Sequence, residues 1–103
     1  MQVSAFMTVQ QYHDMTTGTE KNQQVALIYA QGIIDGMLGL SSALALEGKV
    51  EKEFCIENAK NPAVHPADVS AFYVLLWKKQ GKSMTIPALD MLLTMLTERY
   101  SCK

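Results

Sequence analysis

Four side chains in this sequence carry groups that commonly do chemistry: the thiols of Cys55 and Cys102 and the imidazoles of His13 and His65. The histidines are far apart, and neither has a cysteine or carboxylate at metal-ligand spacing, so helix-end or surface positions are expected. Cys55 and His65 have the types of a nucleophile and a base, but no glycine-rich oxyanion element or third orienting group accompanies them. We therefore expect no enzyme, no metal site and no cofactor.

The composition favours one helical domain. The chain has 103 residues, of which 49% are hydrophobic and only three are proline, while leucine, alanine and methionine are plentiful. The net charge of −1 at pH 7 argues against nucleic acid and anionic lipid as partners. We predict an all-α fold, a single-domain bundle of four to five helices over residues 1–103, with a loosely packed segment over residues 1–18.

A long apolar stretch from Val25 to Leu46 is the element around which the rest is organised, and it has the length of a membrane span or of a central helix. Asp35 lies near its middle and no lysine block flanks it, so we predict a buried helix without a membrane span. Gly32, Gly36 and Gly39 fall on one strip of this helix. Because glycine destabilises a helix interior, we predict that the strip packs closely against another helix; a bend is the alternative.

Three further helices are predicted, over residues 8–15, from Pro66 to Gln80, and after Thr85. The inward residues of the first are Val9, Tyr12 and Met15. Those of the second recur at three- and four-residue intervals: Val69, Phe72, Tyr73, Leu76 and Trp77. The apolar stripe of the third comprises Ile86, Leu89, Leu92, Leu93, Leu96 and Tyr100, with Met84, Met91 and Met95 expected to extend beyond it.

The positions of the cysteines predict a disulfide. The last two helices are joined by a short connection and must be antiparallel, so Cys55, before the first, and Cys102, after the second, share one end of the pair. A bridge would imply an oxidising compartment such as a periplasm, whereas two buried free thiols in a cytosolic protein are the alternative. The first residues have neither a basic region nor a long apolar run, so we expect a periplasmic protein whose leader peptide is absent from this sequence.

The turn between the last two helices is the most prominent candidate for contact with a partner. It reads KKQGKSM, which is cationic and flexible at its glycine. We predict that it binds a partner protein through Lys79, Gln80, Lys82, Ser83 and Met84, the last an exposed methionine. A merely solvated turn is the alternative, and the next candidate surface is the loop over residues 57–65.

Three segments together resemble a known family: YAQGIIDGMLGL, FCIENAKNPAVHPADVSAFYVLLWKKQGK and IPALDMLLTMLTERYSC. They are similar to the immunity proteins of type VI secretion amidase effectors. The likeness covers residues 25–102 and rests on a Y-x-x-G-x-x-D-G helix, here Tyr29, Gly32, Asp35 and Gly36, on an F-C pair before a proline-led helix, and on a closing Y-x-C. The chain has Ser101 where this family usually has proline.

The resemblance implies a small helical periplasmic protein, often a homodimer, that binds a peptidoglycan-cleaving amidase effector and blocks its active-site cleft. A periplasmic helical chaperone or stress protein without a dedicated effector is the alternative. An inhibitor would present a fixed complementary surface, whereas a chaperone would expose apolar surface to many clients.

Overall fold

Four α-helices make up the fold of the chain, which the computed structural model describes over residues 6–49, 51–58 and 63–102. In chain order these helices are α1 (Val9–Thr16), α2 (Glu20–Leu46), α3 (Pro66–Lys79) and α4 (Ala88–Arg99), and a short 3-10 helix (Ile56–Asn58) precedes α3. The described residues contain no named β-strand, only two isolated bridges between extended segments. The predicted all-α fold with one disulfide is confirmed.

Local sequence signals account for the helix ends. The Thr8 side chain accepts from the Gln11 backbone N–H in a capping box, and the Thr19 side chain accepts from the N–H of Asn22 at the start of α2. Gly48, after α2, and Gly81, after α3, have φ values of +72° and +73°, which glycine adopts at little cost. The predicted starts and stops of α1 and α3 are therefore confirmed to within a residue or two, and α2 ends with the predicted apolar stretch at Leu46.

The N-terminal segment belongs to the core, and the prediction that residues 1–18 pack loosely is wrong for its described part; residues 1–5 lie outside the described residues. Val9 and Tyr12 are almost fully buried. The backbone N–H groups of Val9 and Gln10 donate to the carbonyls of Ile86 and Met84 at 2.9 and 2.8 Å. This pairing ties the segment to the connection before α4, which begins at Ala88, later than predicted.

Helix α3 is rotated by about a quarter turn from the predicted orientation. Tyr73 and Trp77 face inward as predicted, but Phe72 is 75% exposed and Leu76 is 45% exposed. Ser70 takes the inward position instead, because its hydroxyl is hydrogen-bonded to the buried Tyr12 hydroxyl and donates to the carbonyl of Ala67 at 2.6 Å. The buried face of α3 comprises Pro66, Ala67, Ser70, Tyr73, Val74 and Trp77.

Helix α4 packs a wider set of residues than its predicted stripe. Leu92, Leu96 and Tyr100 are buried as predicted, whereas Leu89 and Leu93 are 42% and 43% exposed. Met91 and Met95, expected beyond the main stripe, are both fully buried and so widen the buried face of α4. Their unbranched side chains fill irregular space between helices, which leucine fits less easily.

Helix α2 lies on the bundle with one face only. Its buried residues are Ala26, Ala30 and Ile34, at four-residue intervals. The prediction that Gly32 and Gly36 pack closely against another helix is wrong within this chain, since a Cβ atom at Gly32, Gly36 or Gly39 would have no heavy atom within 4 Å. The contacting face instead uses the small alanines, which let neighbouring helices approach, and the glycine strip points outward.

By length and composition alone, α2 is apolar enough to cross a membrane, and 17% of its most apolar 18-residue window is buried. The prediction of a buried helix therefore holds only for the inner face of α2, which carries Ala26, Ala30 and Ile34. The absence of a membrane span stays a prediction.

The predicted disulfide between Cys55 and Cys102 is present. Beside it, Phe54 and Ser101 form an antiparallel bridge, and the Cys55 N–H donates to the Tyr100 carbonyl at 2.7 Å. Phe54 is buried, so the segment before α3 docks on the core as predicted. The covalent bond closes a loop that contains both α3 and α4, and the two cysteines are 47 positions apart in sequence.

Reduction of this disulfide should lower the free energy of unfolding by about 4 kcal/mol, because it restores loop entropy to the unfolded chain. Urea unfolding with and without reductant measures the change. The double variant Cys55→Ser/Cys102→Ser is the control: it should match the reduced protein and should not respond to reductant. Equal stability of the oxidised and reduced protein would contradict the prediction.

Candidate functional site

The turn between α3 and α4 is held in one conformation by its own backbone. The N–H groups of Gln80 and Gly81 donate to the carbonyls of Leu76 and Lys78 at 2.9 and 3.0 Å, which closes the end of α3. Gly81, with φ +73°, then reverses the chain, and the Lys82 N–H donates to the Trp77 carbonyl at 3.3 Å. The turn is thus a continuation of the helix end, with a defined path.

Trp77, the single tryptophan of the chain, lies beneath this turn. Its indole Nε1 donates to the carbonyl oxygen of Ser83 at 2.7 Å, and the Lys82 Nζ lies 4.6 Å from the centroid of its ring. The second contact is a cation–π interaction, which restricts the lysine side chain. Lys82 therefore presents its charge from a fixed position.

The turn is also held from the far side, where the Met84 carbonyl accepts from the backbone of Gln10. Of the five predicted contact residues, Lys79, Gln80, Lys82 and Ser83 are exposed. The prediction of an exposed Met84 is wrong: its side chain is half-buried and packs against the core. Met84 anchors the turn, because the backbone pairing with α1 draws this residue inward.

A groove along the outer face of α3 was not predicted from the sequence. It has a volume of about 390 Å³ and lies between the outer face of α3 and the end of α4. Its lining comprises Val64, Asp68, Val69, Phe72, Tyr73, Leu76 and Arg99. The apolar spacing of α3 is the sequence signal for this groove, but by itself it predicts core positions for Phe72 and Leu76.

Tyr73 forms part of the groove wall and is fixed by Glu98. Its hydroxyl donates to the Glu98 Oε2 at 2.6 Å. Burial raises the pKa of Tyr73 to about 12, and the hydrogen bond to Glu98 and its negative charge add to the rise. The hydroxyl is therefore neutral at physiological pH and serves to join α3 to α4.

Asp35 of the Y-x-x-G-x-x-D-G segment links α2 to the start of α3. Its carboxylate lies 2.8 Å from the His65 Nε2, and the His65 Nδ1 accepts from the backbone N–H of Ala67 at 3.0 Å. Because Nδ1 is an acceptor, the ring proton lies on Nε2 and is donated to Asp35. This pairing was not predicted, and it fixes one end of the loop over residues 57–65, part of which lies outside the described residues.

The two thiols and two imidazoles singled out from the sequence do not form a common site, and the thiols are already bonded to each other. Both thiols are in the disulfide, so Cys55 carries no thiolate that His65 could activate. His13 lies in the last turn of α1 and His65 caps α3, which confirms the expected helix-end positions. Among the described residues, no group of three or more His, Cys, Asp or Glu could hold a metal ion.

Comparisons with known proteins identify no relative: no family model, no curated protein and no solved structure matches the chain significantly. The resemblance to the immunity proteins therefore stays a prediction, as do the absence of enzymatic activity and the identity of any partner.

The raised pKa of Tyr73 predicts that the protein loses stability at alkaline pH. The unfolded chain releases the phenolic proton near pH 10 and the folded chain at about pH 12, so the contribution of this group is complete below pH 10 and is lost between these values. The unfolding free energy of the protein, minus that of Tyr73→Phe, should therefore fall as pH rises above 10. A difference that stays constant from pH 8 to 11.5 would contradict this assignment.

Proposed function

We propose that this chain is an immunity protein that binds a peptidoglycan amidase effector of type VI secretion and occludes its active-site cleft. The observation that carries the proposal is the turn after α3, which is cationic, exposed and held at a fixed position by Trp77 and α1. Occlusion of a cleft requires a projecting element that fits it. A preformed turn loses little conformational entropy on binding, so its contacts contribute more fully to affinity.

The outer face of α3 extends the proposed contact surface. Phe72 and Lys79 are seven residues apart on this helix and so lie on the same face, about 10 Å from one another along the axis. Phe72 is 75% exposed, and large exposed aromatic side chains are frequent anchors at protein interfaces. We therefore assign the amidase contact to the turn and to this face together.

The proposal also covers the location of the protein. A disulfide between Cys55 and Cys102 is compatible with an oxidising environment outside the cytoplasm. The amidase substrate, peptidoglycan, implies the periplasm, where an immunity protein would meet an incoming effector. Cationic groups on the turn would speed encounter with an acidic cleft rim and fix the orientation of the complex.

Removing the charges of the turn should weaken binding to the amidase while leaving the fold intact. The variant Lys79→Ala/Lys82→Ala keeps Met84 as an anchor, and we expect a loss of several kcal/mol in binding if both are hot spots. Calorimetry measures affinity, and survival of cells that express the amidase in the periplasm measures protection. Trp77 fluorescence should change on binding, because the indole lies under the turn.

The matched control is Lys21→Ala/Lys49→Ala, which removes two exposed lysines at the two ends of α2. This control should bind and protect like the unaltered protein. If the turn variant also binds and protects undiminished, the contact surface lies elsewhere, and the loop over residues 57–65 is the next to be tested.

A homodimer through α2 forms the second part of the proposal, and the support for it is the symmetry of the exposed strip. The strip comprises Val25, Ile28, Gly32, Gly36, Gly39, Ala43 and Leu46, all exposed. Six of its seven positions are symmetric about the midpoint between Asp35 and Gly36: Val25 corresponds to Leu46, Ile28 to Ala43, and Gly32 to Gly39, while Gly36 lies beside the midpoint and corresponds to Asp35. An antiparallel two-fold contact requires such self-complementarity, with apolar residues at both ends and glycines where the helices cross.

This arrangement predicts which engineered cysteines cross-link two copies. With the two-fold axis beside Gly36, a Gly36→Cys variant should form an intermolecular disulfide under oxidising conditions, as measured on non-reducing gels. Leu46→Cys is the control, because antiparallel helices place the two copies of this residue about 30 Å apart. Cross-linking through Leu46→Cys, or none through Gly36→Cys, would contradict the antiparallel dimer.

A periplasmic chaperone remains the second candidate function, and the exposed apolar side chains of α2 in the single chain favour it. Ile28, Leu40 and Leu46 are 67%, 62% and 90% exposed, an arrangement that would suit unfolded clients. Capture of partners from the periplasm of the source organism and its neighbours separates the two. One dominant amidase favours immunity, whereas many unfolded proteins favour the chaperone.

A further inference from the structure

The groove beside α3 combines an apolar surface with an available cation. Phe72 and Leu76 are 75% and 45% exposed, and Val69 lies on the same face of the helix. At the end of α4, the guanidinium of Arg99 borders the groove, and no carboxylate of the described residues lies within ion-pair distance of it. An exposed apolar surface with a polar or charged rim is typical of an interaction site.

Two acidic residues lie close to Arg99, and neither pairs with it. The Glu98 carboxylate accepts a hydrogen bond from the Tyr73 hydroxyl at 2.6 Å, and this bond holds the Glu98 side chain against α3. Asp68 also lines the groove, but it lies in the first turn of α3, where the positive end of the helix dipole partly offsets the charge of its carboxylate. Arg99 is therefore the group at this rim that is available to an incoming negative charge.

From these observations we propose that the groove binds an apolar side chain of a partner protein that stands next to a carboxylate, with the apolar group on Phe72 and the carboxylate on Arg99. The volume of about 390 Å³ accommodates one large aliphatic or aromatic side chain. Charge complementarity selects the acidic neighbour, since an arginine can hold a carboxylate through two parallel hydrogen bonds.

The inference rests on the proposed function and deepens it, because it specifies the chemistry of the partner surface. Lys79 lies on the same face of α3 as Phe72, two helical turns further along. The surface therefore has a cation at each end, Arg99 at one and Lys79 at the other, with apolar residues between them. It fits an effector surface on which an apolar side chain is flanked by acidic residues.

The groove can be tested without the amidase, with 4-phenylbutyrate as the probe. In amide proton–nitrogen NMR spectra of the full chain, we expect saturable shifts at residues 64–76 and at Arg99. Arg99→Gln should weaken binding of this probe about fivefold, as expected for a partly exposed ion pair. Phe72→Ala should weaken it at least as much, and 4-phenylbutylamine, which carries the opposite charge, should bind more weakly than the acid.

Leu93→Ala is the control, because Leu93 is an exposed apolar residue of α4 that does not line the groove. This variant should bind the probe unchanged. Phe72 and Arg99 are both exposed, so their variants should unfold at the same urea concentration as the unaltered protein. Equal response to the acid and the amine, shifts centred on α2, or no effect of Arg99→Gln would overturn the proposal.

Amidase binding then separates this inference from the proposed function. Loss of affinity in Phe72→Ala and Arg99→Gln, in addition to the turn variant, supports both. If the turn variant alone loses affinity, the immunity function stands and the groove contact is overturned. If the amidase fails to bind the unaltered protein, the immunity function falls, while the phenylbutyrate spectra still decide whether the groove selects an apolar acid.

Discussion

The hydrogen bond between the buried hydroxyls of Tyr12 and Ser70 is the contact on which the rest of the structure depends. A buried hydroxyl without a partner would cost about 1 to 3 kcal/mol, so α1 and α3 must meet at this pair. The contact sets the rotation of α3 about its axis. It thereby directs Tyr73 and Trp77 inward and leaves Phe72 outside, which creates both the support for the turn and the groove.

Two constraints at opposite ends then make the α3–α4 hairpin rigid. At one end, the disulfide between Cys55 and Cys102 and its adjoining bridge fix where α3 enters and α4 leaves. At the other, the N-terminal segment pairs with residues 84–88, and Trp77 holds the turn from below. A hairpin fixed at both ends can present a turn in one conformation, which suits a fixed inhibitory surface better than an adaptable one.

Much of this fold could be predicted because its signals are local. Thr19, Pro66 and Gly81 mark helix ends through backbone geometry, and the short connection between the last two helices places Cys55 near Cys102. The rotation of α3 could not be predicted, because an inward Ser70 depends on a hydroxyl 58 residues away in sequence. For the same reason the groove and the pairing of Asp35 with His65 were missed, since each depends on tertiary contacts.

The glycine strip of α2 lies on one helix face, as its spacing predicts, but that face does not contact another helix of this chain. Glycines at four- and three-residue spacing permit close approach of another helix, but within this chain the alanines at 26 and 30 provide that contact. The strip therefore incurs the cost of glycine in a helix without a packing gain in the single chain. A second copy would supply that gain, because the same symmetric strip can then meet itself. The turn and the groove lie on α3 and α4, so this pairing would leave the proposed amidase surface accessible.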